Sequence, residues 1–537
     1  MISIAKFFEP SPTVERGAFI IAVVTAFGSA LGIVKNTLLG AQFGAGAELD
    51  LYFAAFRIPD FLYNIFIFST LSSSFLPIFS RLIIQGKEKL WGVLSSLILI
   101  FTVVLGICGL VVLVFSHEIV GILAPGFSSV NADRLSLFLR VLMIQPILLA
   151  VSNLIAMTLQ GFKRFFISSC APIFYNAGII IGILVFSQWW GMMGVIFGVI
   201  CGALFHLLIQ LPSLWKLGFR FRPAIQGSLP HLKEMFLLMI PRSFALVANS
   251  FLSLWVVMVS SLLIPGSLSV FDLANSIQAL PQTIFALSFI TASFPFLSSA
   301  WAAGESQDGQ GEKKDFIRLA EQTMHHIIMV MIPVAMVLAV FAPVVVRMML
   351  GYGNFSVDDQ SQTSLALVMF CIGIPFQALL MFLVRGFFAM KNTKIPLYSV
   401  LITSALMIPG IWLSGVRFGV WGIALVMSCG AILNTIYLFF IFKRILGGVA
   451  FPMVREGMKK GFVLGSFAAF PGGVVYYVIH AMLKGATSWI FIFELTVAAL
   501  VSCVSVFVAL YVIKVVDLRE LFKKQGLNDL ENGSEPH

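Results

Sequence analysis

Charged side chains inside apolar stretches are the first places to look for chemistry. Insertion into a bilayer core costs ~2.5–3.5 kcal/mol for each of them. Four cations qualify, Lys35, Arg57, Arg242 and Arg385, and the acids within or close to such stretches are Asp60 and Asp272. Lys35 stands in Gly32-Ile33-Val34-Lys35-Asn36. A lysine facing water inside a membrane protein holds a phosphate as a compact point charge; the alternatives are snorkelling toward a headgroup or pairing with an acid. Arg57 and Asp60 are spaced i, i+3, which predicts a local ion pair on one helix face ahead of a ligand contact. Arg242, after Pro241, and Arg385 sit near span ends and are expected to snorkel. Asp272 reads as a cap or as an ion-coupling carboxylate.

Other chemistries lack their residues. No Walker-type phosphate loop is present, so no ATPase is built in. His325 and His326 are adjacent, which puts them on different helix faces and suits no metal. Cys108, Cys170, Cys201, Cys371, Cys429 and Cys503 are single, without ligand spacing. The expectation is a protein that is not an enzyme and has no cofactor.

The elements that must position these residues follow from composition. The 537 residues are 59% hydrophobic and 11% charged, with a mean hydropathy of +1.00. A soluble chain needs far more polar surface. Apolar stretches reach bilayer length, ~20 residues, and backbone groups there must bond internally, which demands helices. The prediction is an all-α polytopic membrane protein of about 14 transmembrane helices, the first a retained span over 17–40. With the N-terminus in the cytoplasm, alternate loops collect nearly all the cations, leaving Arg134, Arg140, Arg347, Arg417 and Lys484 opposite. That is the positive-inside pattern and predicts cytoplasmic N- and C-termini. The net charge of +10 therefore reports orientation and attraction to anionic membrane lipids, and requires no nucleic acid.

The chain also echoes itself. Gly161-Phe162-Lys163-Arg164, reaching Pro172, returns in the second half of the chain as Gly386-Phe387-Phe388-Ala389, reaching Pro396. Phe75-Leu76-Pro77-Ile78-Phe79-Ser80 resembles Ser293-Phe294-Pro295-Phe296-Leu297-Ser298, and Gly191-Met192-Met193-Gly194 resembles Gly419-Val420-Trp421-Gly422, all three at nearly one offset. An offset of six spans makes the repeats parallel. Two six-helix lobes are predicted, 1–215 and 216–458, with residues 459–537 as an appended helix pair and cytoplasmic tail. Polar breaks at 216–233 and 302–318 read as loops, the second flexible. Pro59, Pro146, Pro241, Pro281 and Pro375 mark kinks, serving either as hinges or as packing geometry.

Several segments are family-like. Phe43-Gly44-Ala45-Gly46 leading to Asp50 and Ala55-Phe56-Arg57-Ile58-Pro59, then Ala124-Pro125-Gly126-Phe127, Tyr352-Gly353-Asn354-Phe355 and Arg385-Gly386-Phe387-Phe388-Ala389, resemble the MurJ/MviN lipid II flippase family. The resemblance covers spans 1–12 in order and implies the fold of the multidrug/oligosaccharidyl-lipid/polysaccharide exporter superfamily. The implied task is moving an undecaprenyl-diphosphate-linked peptidoglycan precursor across a bacterial inner membrane by alternating access. Polar positions depart from the family pattern. Where the family reads S-R-x-x-G-x-x-R-D, this chain has Ser29 and Lys35 in place of the arginines and Asn36 in place of the aspartate. Tyr63 and Asn64 replace an arginine pair, and Asn275-Ser276 stands for D-R.

The resemblance thus places substrate binding at Lys35, Asn36, Ser29, Tyr63, Asn64, Asn275, Ser276 and Arg57, with Lys35 as the central phosphate contact. Neutral donors grip a diphosphate less strongly than charged ones. The expected partners are a lipid-linked precursor and membrane lipids, with membrane potential or a coupling ion as the drive. A flippase for another lipid-linked saccharide and a non-transporting scaffold of envelope synthesis are the alternatives.

Overall fold

The computed structural model describes residues 14–68, 76–306 and 310–483, with 496–497, 500–502 and 504–505. No strand occurs among them. The first part of the chain runs α1 (Val14–Phe43), α2 (Ala47–Tyr63), α3 (Leu76–Gln85), α4 (Lys87–Val114), α5 (Ser116–Leu123), α6 (Ser129–Leu142), α7 (Ile144–Gly161), α8 (Phe165–Ile181), α9 (Ser187–Trp190), α10 (Met192–Leu208) and α11 (Leu211–Lys216). There follow α12 (Ile225–Ser261), α13 (Ser267–Pro281), α14 (Leu287–Ser306), α15 (Gln310–Val340), α16 (Ala342–Leu350), α17 (Val357–Ala389), α18 (Lys394–Phe418), α19 (Val420–Ile445) and α20 (Pro452–Leu483).

Among the described residues, ten helical stretches are long and apolar enough to cross a membrane, and Val247–Ser261 adds a shorter one. The expected span over 488–512 lies largely outside the described residues, as does the polar tail over 523–537. α4 turns Ile107, Leu110 and Val114 outward, each more than half exposed, as only an apolar medium tolerates.

Several regions differ from the sequence expectation. Helix occupies most of 302–318, because α14 continues to Ser306 and α15 begins at Gln310. The spans at 51–79 and 269–298 each contain a π-helical turn, Asn64–Phe68 and Gln282–Ala286. These two turns have the same spacing as Phe75 and Ser293, which head one of the sequence echoes, and each follows a helical proline, Pro59 or Pro281. Proline removes a ladder bond, and a widened turn is one way to accommodate the loss. Two further pairs of backbone features share a single spacing: Lys163 and Lys391, with φ of 59° and 56°, and Gly191 and Gly419, with φ of 55° and 68°.

One compact unit comprises Met1–Leu280, Pro343–Gly373 and Met390–Ile441. Phe79, Trp91, Leu94, Leu97, Phe101, Leu154 and Leu159 form an apolar cluster in it. α8 and α10 approach backbone to backbone, and a Cβ on Gly178 would stand 2.3 Å from the Gly202 Cα. Such contact gains van der Waals energy where lipid offers no hydrophobic drive. The family-like glycine segments meet here. The Asn354 amide donates to the Ala41 carbonyl at 2.7 Å, and Asn354 Nδ2 to the Gln42 carbonyl at 2.6 Å. Gly353, at φ 61°, lies where a Cβ would be 2.1 Å from the Ala41 oxygen. Gly126 donates its amide to Ser261 Oγ at 3.2 Å.

The other unit comprises Pro281–Ala342, Ile374–Ala389 and Phe442–His537. α15 and α20 pack along their lengths. Glu321 accepts the Met453 amide at 2.7 Å, and His325 Nδ1 bonds the Met453 carbonyl at 2.7 Å, fixing the start of α20. Phe316, Phe387 and Phe442 are fully buried, and the rings of Phe387 and Phe442 meet edge to face at 5.5 Å.

Candidate functional site

The site is organised by α13, which α1 and α2 both reach within the first unit. Asp50, near the start of α2, accepts the amides of Gly266 at 2.6 Å and Ser269 at 2.7 Å, and the Ser269 hydroxyl at 2.6 Å. A buried carboxylate is thereby held at a helix N-terminus, where free N–H groups and the helix dipole favour it. Further along α2, Arg57 Nη2 donates to Asp272 Oδ2 of α13. Both contacts advance along both helices, so α2 and α13 run in the same direction.

α1 joins through Asn36, whose Nδ2 donates to Ser276 Oγ at 3.0 Å, while that hydroxyl donates to the Leu273 carbonyl at 2.8 Å. Beside this bond lies a cleft of about 210 Å³ lined by Ser29, Lys35, Asn36, Thr37 and Ser276, with Ile277, Leu280, Met349 and Leu350 as apolar wall. Lys35 makes no hydrogen bond or ion pair among the described residues. Its ammonium is thus a donor held ready beside two amide or hydroxyl groups, suited to phosphate or carboxylate oxygens.

Ser29, Lys35, Asn36 and Ser276 therefore line one cleft, as the sequence groups them. Tyr63 packs against the apolar cluster around Phe79, Asn64 opens the π turn, and Asn275 accepts a bond from Gln278 Nε2 at 2.9 Å; none of the three lines the cleft. Arg57 does not form the expected ion pair with Asp60. It pairs with Asp272, which is consequently neither a cap nor free, since it sits inside α13. The Arg57 Nε is buried without a partner. Arg385 lies in the other unit, 3.4 Å from Thr291 Oγ1, and the Arg242 side chain lies outside the described residues.

A family model described as lipid II flippase MurJ matches residues 39–500. This chain belongs to the lipid II flippase MurJ family. Among curated MurJ relatives, a probable lipid II flippase of Thermotoga maritima is 28% identical over 483 residues, covering 86% of this chain and 94% of that protein. One of Borreliella burgdorferi is 25% identical, over 79% and 82%. A solved structure of lipid II flippase MurJ in an inward closed conformation superposes with a TM-score of 0.74 at 22% identity, covering 92% of this chain and 99% of that one. An inward-facing multidrug resistance MATE family transporter of the MOP superfamily gives 0.66 at 13% identity, over 80% and 98%. The all-α polytopic fold is thus shared with MurJ and with MOP transporters.

The Asp50 clamp on α13 is not evident from this MurJ-family sequence, although Asp50 closes a family-like segment. The available signal is an acid just inside a helix start, and its partner Gly266 lies 216 residues away. Gln282 Nε2 donates to Gln377 Oε1 at 2.6 Å in the other unit, and that pair carries no sequence signal at all.

Proposed function

We propose that this chain moves lipid II, the undecaprenyl-diphosphate-linked peptidoglycan precursor, from the inner to the outer leaflet of a bacterial cytoplasmic membrane. Family membership supports the substrate. The observation that carries the site is Lys35, without an ion pair among the described residues, lining a cleft with Asn36 and Ser276. The ammonium takes a phosphate oxygen and the neutral groups add hydrogen bonds, while the aliphatic wall faces the prenyl chain. We assign the lobes 1–215 and 216–458 as the parts that alternate access, and both termini to the cytoplasm on the distribution of loop cations. Outward transfer of an anionic headgroup is favoured by an inside-negative potential, by ~2.3 kcal/mol per charge per 100 mV. This role is transport, with no catalytic step assigned.

The test is leaflet translocation in proteoliposomes holding the full chain, with lipid II and a neutral long-chain lipid as cargo. Lipid II should move and the neutral lipid should not. Movement of neither would favour a scaffold. Movement of another lipid-linked saccharide in place of lipid II would move the substrate assignment, a reading favoured by the loss of the family's arginines at Ser29, Tyr63, Asn64 and Ser276.

A further inference from the structure

Asp60 lies outside the residues that line the cleft, yet three relationships fix its place. α13 carries Asp272 and Ser276 at i, i+4, on one face. Arg57 meets the first and Asn36 meets the second. Because α2 and α13 run in the same direction, the residue one turn beyond Arg57 on the same face of α2 comes level with Ser276, and so with Lys35 beside Asn36. That residue is Asp60.

The charges that act on Asp60 are Lys35 from α1, Arg57 from its own helix and Asp272 from α13. The hydroxyls of Tyr52 and Tyr63 on α2 and Tyr175 on α8 feel its field. Arg57 is taken by Asp272, whereas the side chains of Asp60 and Lys35 make no hydrogen bond or ion pair among the described residues. Lys35 and Arg57 thus stand against the carboxylates of Asp60 and Asp272. That balance is what allows a lysine to stand within a membrane span.

We propose, resting on the reading of the cleft given above, that Asp60 is the standing counter-charge of Lys35, and that an arriving anionic headgroup must displace it from the ammonium in order to load. The carboxylate competes with every anion for the same ammonium and repels the more highly charged headgroup more strongly, so it lowers affinity for a diphosphate at least as much as for a monophosphate.

The test uses the full-length protein in detergent and its Asp60→Asn and Asp60→Ser variants, with binding measured for undecaprenyl diphosphate and undecaprenyl monophosphate. Both variants should bind both lipids on the order of ten-fold more tightly, the diphosphate gaining at least as much as the monophosphate. The gain should vanish when Lys35→Gln is added to either variant, because the effect acts through that ammonium. Affinities unchanged from the parent, a gain larger for the monophosphate than for the diphosphate, a gain that survives Lys35→Gln, or binding of neither lipid to any protein would overturn the proposal. Lipid II translocation by the unaltered protein, measured alongside, decides the functional reading separately, since it does not depend on how the two prenyl phosphates are ranked.

Discussion

Arg57 of α2 and Asp272 of α13, 215 residues apart, form a partly buried ion pair, with side chains 19% and 11% exposed. The separation is close to that between Phe75 and Ser293 in the sequence echo. Removing one partner leaves a buried charge without compensation. Arg57→Gln or Asp272→Asn alone should destabilise the folded protein by about 3 kcal/mol. The double variant should recover most of that loss, because neither charge is then stranded. Thermal unfolding in detergent measures this, and equal losses in the single and double variants would exclude a direct pair.

Lys35 makes no side-chain hydrogen bond or ion pair among the described residues, so its replacement tests function directly. Lys35→Gln should reduce lipid II translocation by about ten-fold or more through loss of a charge-assisted hydrogen bond. Removing the ammonium lifts the cost of an intramembrane cation but leaves Asp60 without its counter-charge, so the unfolding midpoint should fall by less than in Arg57→Gln, where a hydrogen-bonded pair is broken. Lys35→Arg should retain transport. Intact translocation by Lys35→Gln would remove Lys35 from the substrate site.

These two residues also show what local sequence reveals. Lys35 and Asn36 are legible as a candidate site because a polar pair interrupts an otherwise apolar span. The partner of Arg57 is not legible. Spacing of i, i+3 points to Asp60, but tertiary packing brings Asp272 to the guanidinium, and no local pattern encodes a contact over 215 residues. Family position groups Tyr63 and Asn64 with the cleft. In the structure a π turn starts at Asn64 and rephases the helix, while Tyr63 faces the cluster around Phe79. Helix existence follows from hydrophobicity, whereas the π turns and the direction of each polar side chain depend on packing.

Asp50 accepts three hydrogen bonds from the start of α13 while only 2% exposed. Asp50→Ala would leave two backbone donors and a hydroxyl without their acceptor, at about 2–4 kcal/mol in total. Asp50→Asn keeps an acceptor oxygen and should lose less. Unfolding midpoints should therefore order as parent, then Asp50→Asn, then Asp50→Ala.

Gly353 and Gly46 offer a contrast within one unit. A Cβ on Gly353 would collide with the Ala41 carbonyl at 2.1 Å, and its φ of 61° is already unfavourable for other residues. Gly353→Ala should cost about 2 kcal/mol or more. Gly46 has nothing within 4 Å of a Cβ and a φ of −131°, so Gly46→Ala should fall within about 0.5 kcal/mol of the parent. Similar losses at the two sites would mean that the 41–46 and 352–355 segments do not dock as described.

Orientation can be read independently of transport. The proposed orientation, drawn from the loop cations, would put the segment around Gly218 in the cytoplasm and the segment around Ser129 on the opposite side. Gly218 lies in open space at φ 86°, and Ser129 begins α6 just after the Ser128 cap. Single cysteines at Leu217 and Val130, introduced after the native cysteines are replaced, place thiols next to these points without altering either the turn or the cap. A membrane-impermeant maleimide added to intact cells with a permeable outer envelope should label Val130→Cys and spare Leu217→Cys. Inverted membrane vesicles should reverse the pattern. Labelling of Leu217→Cys from outside would invert the topology, and with it the direction of transfer assigned to the chain.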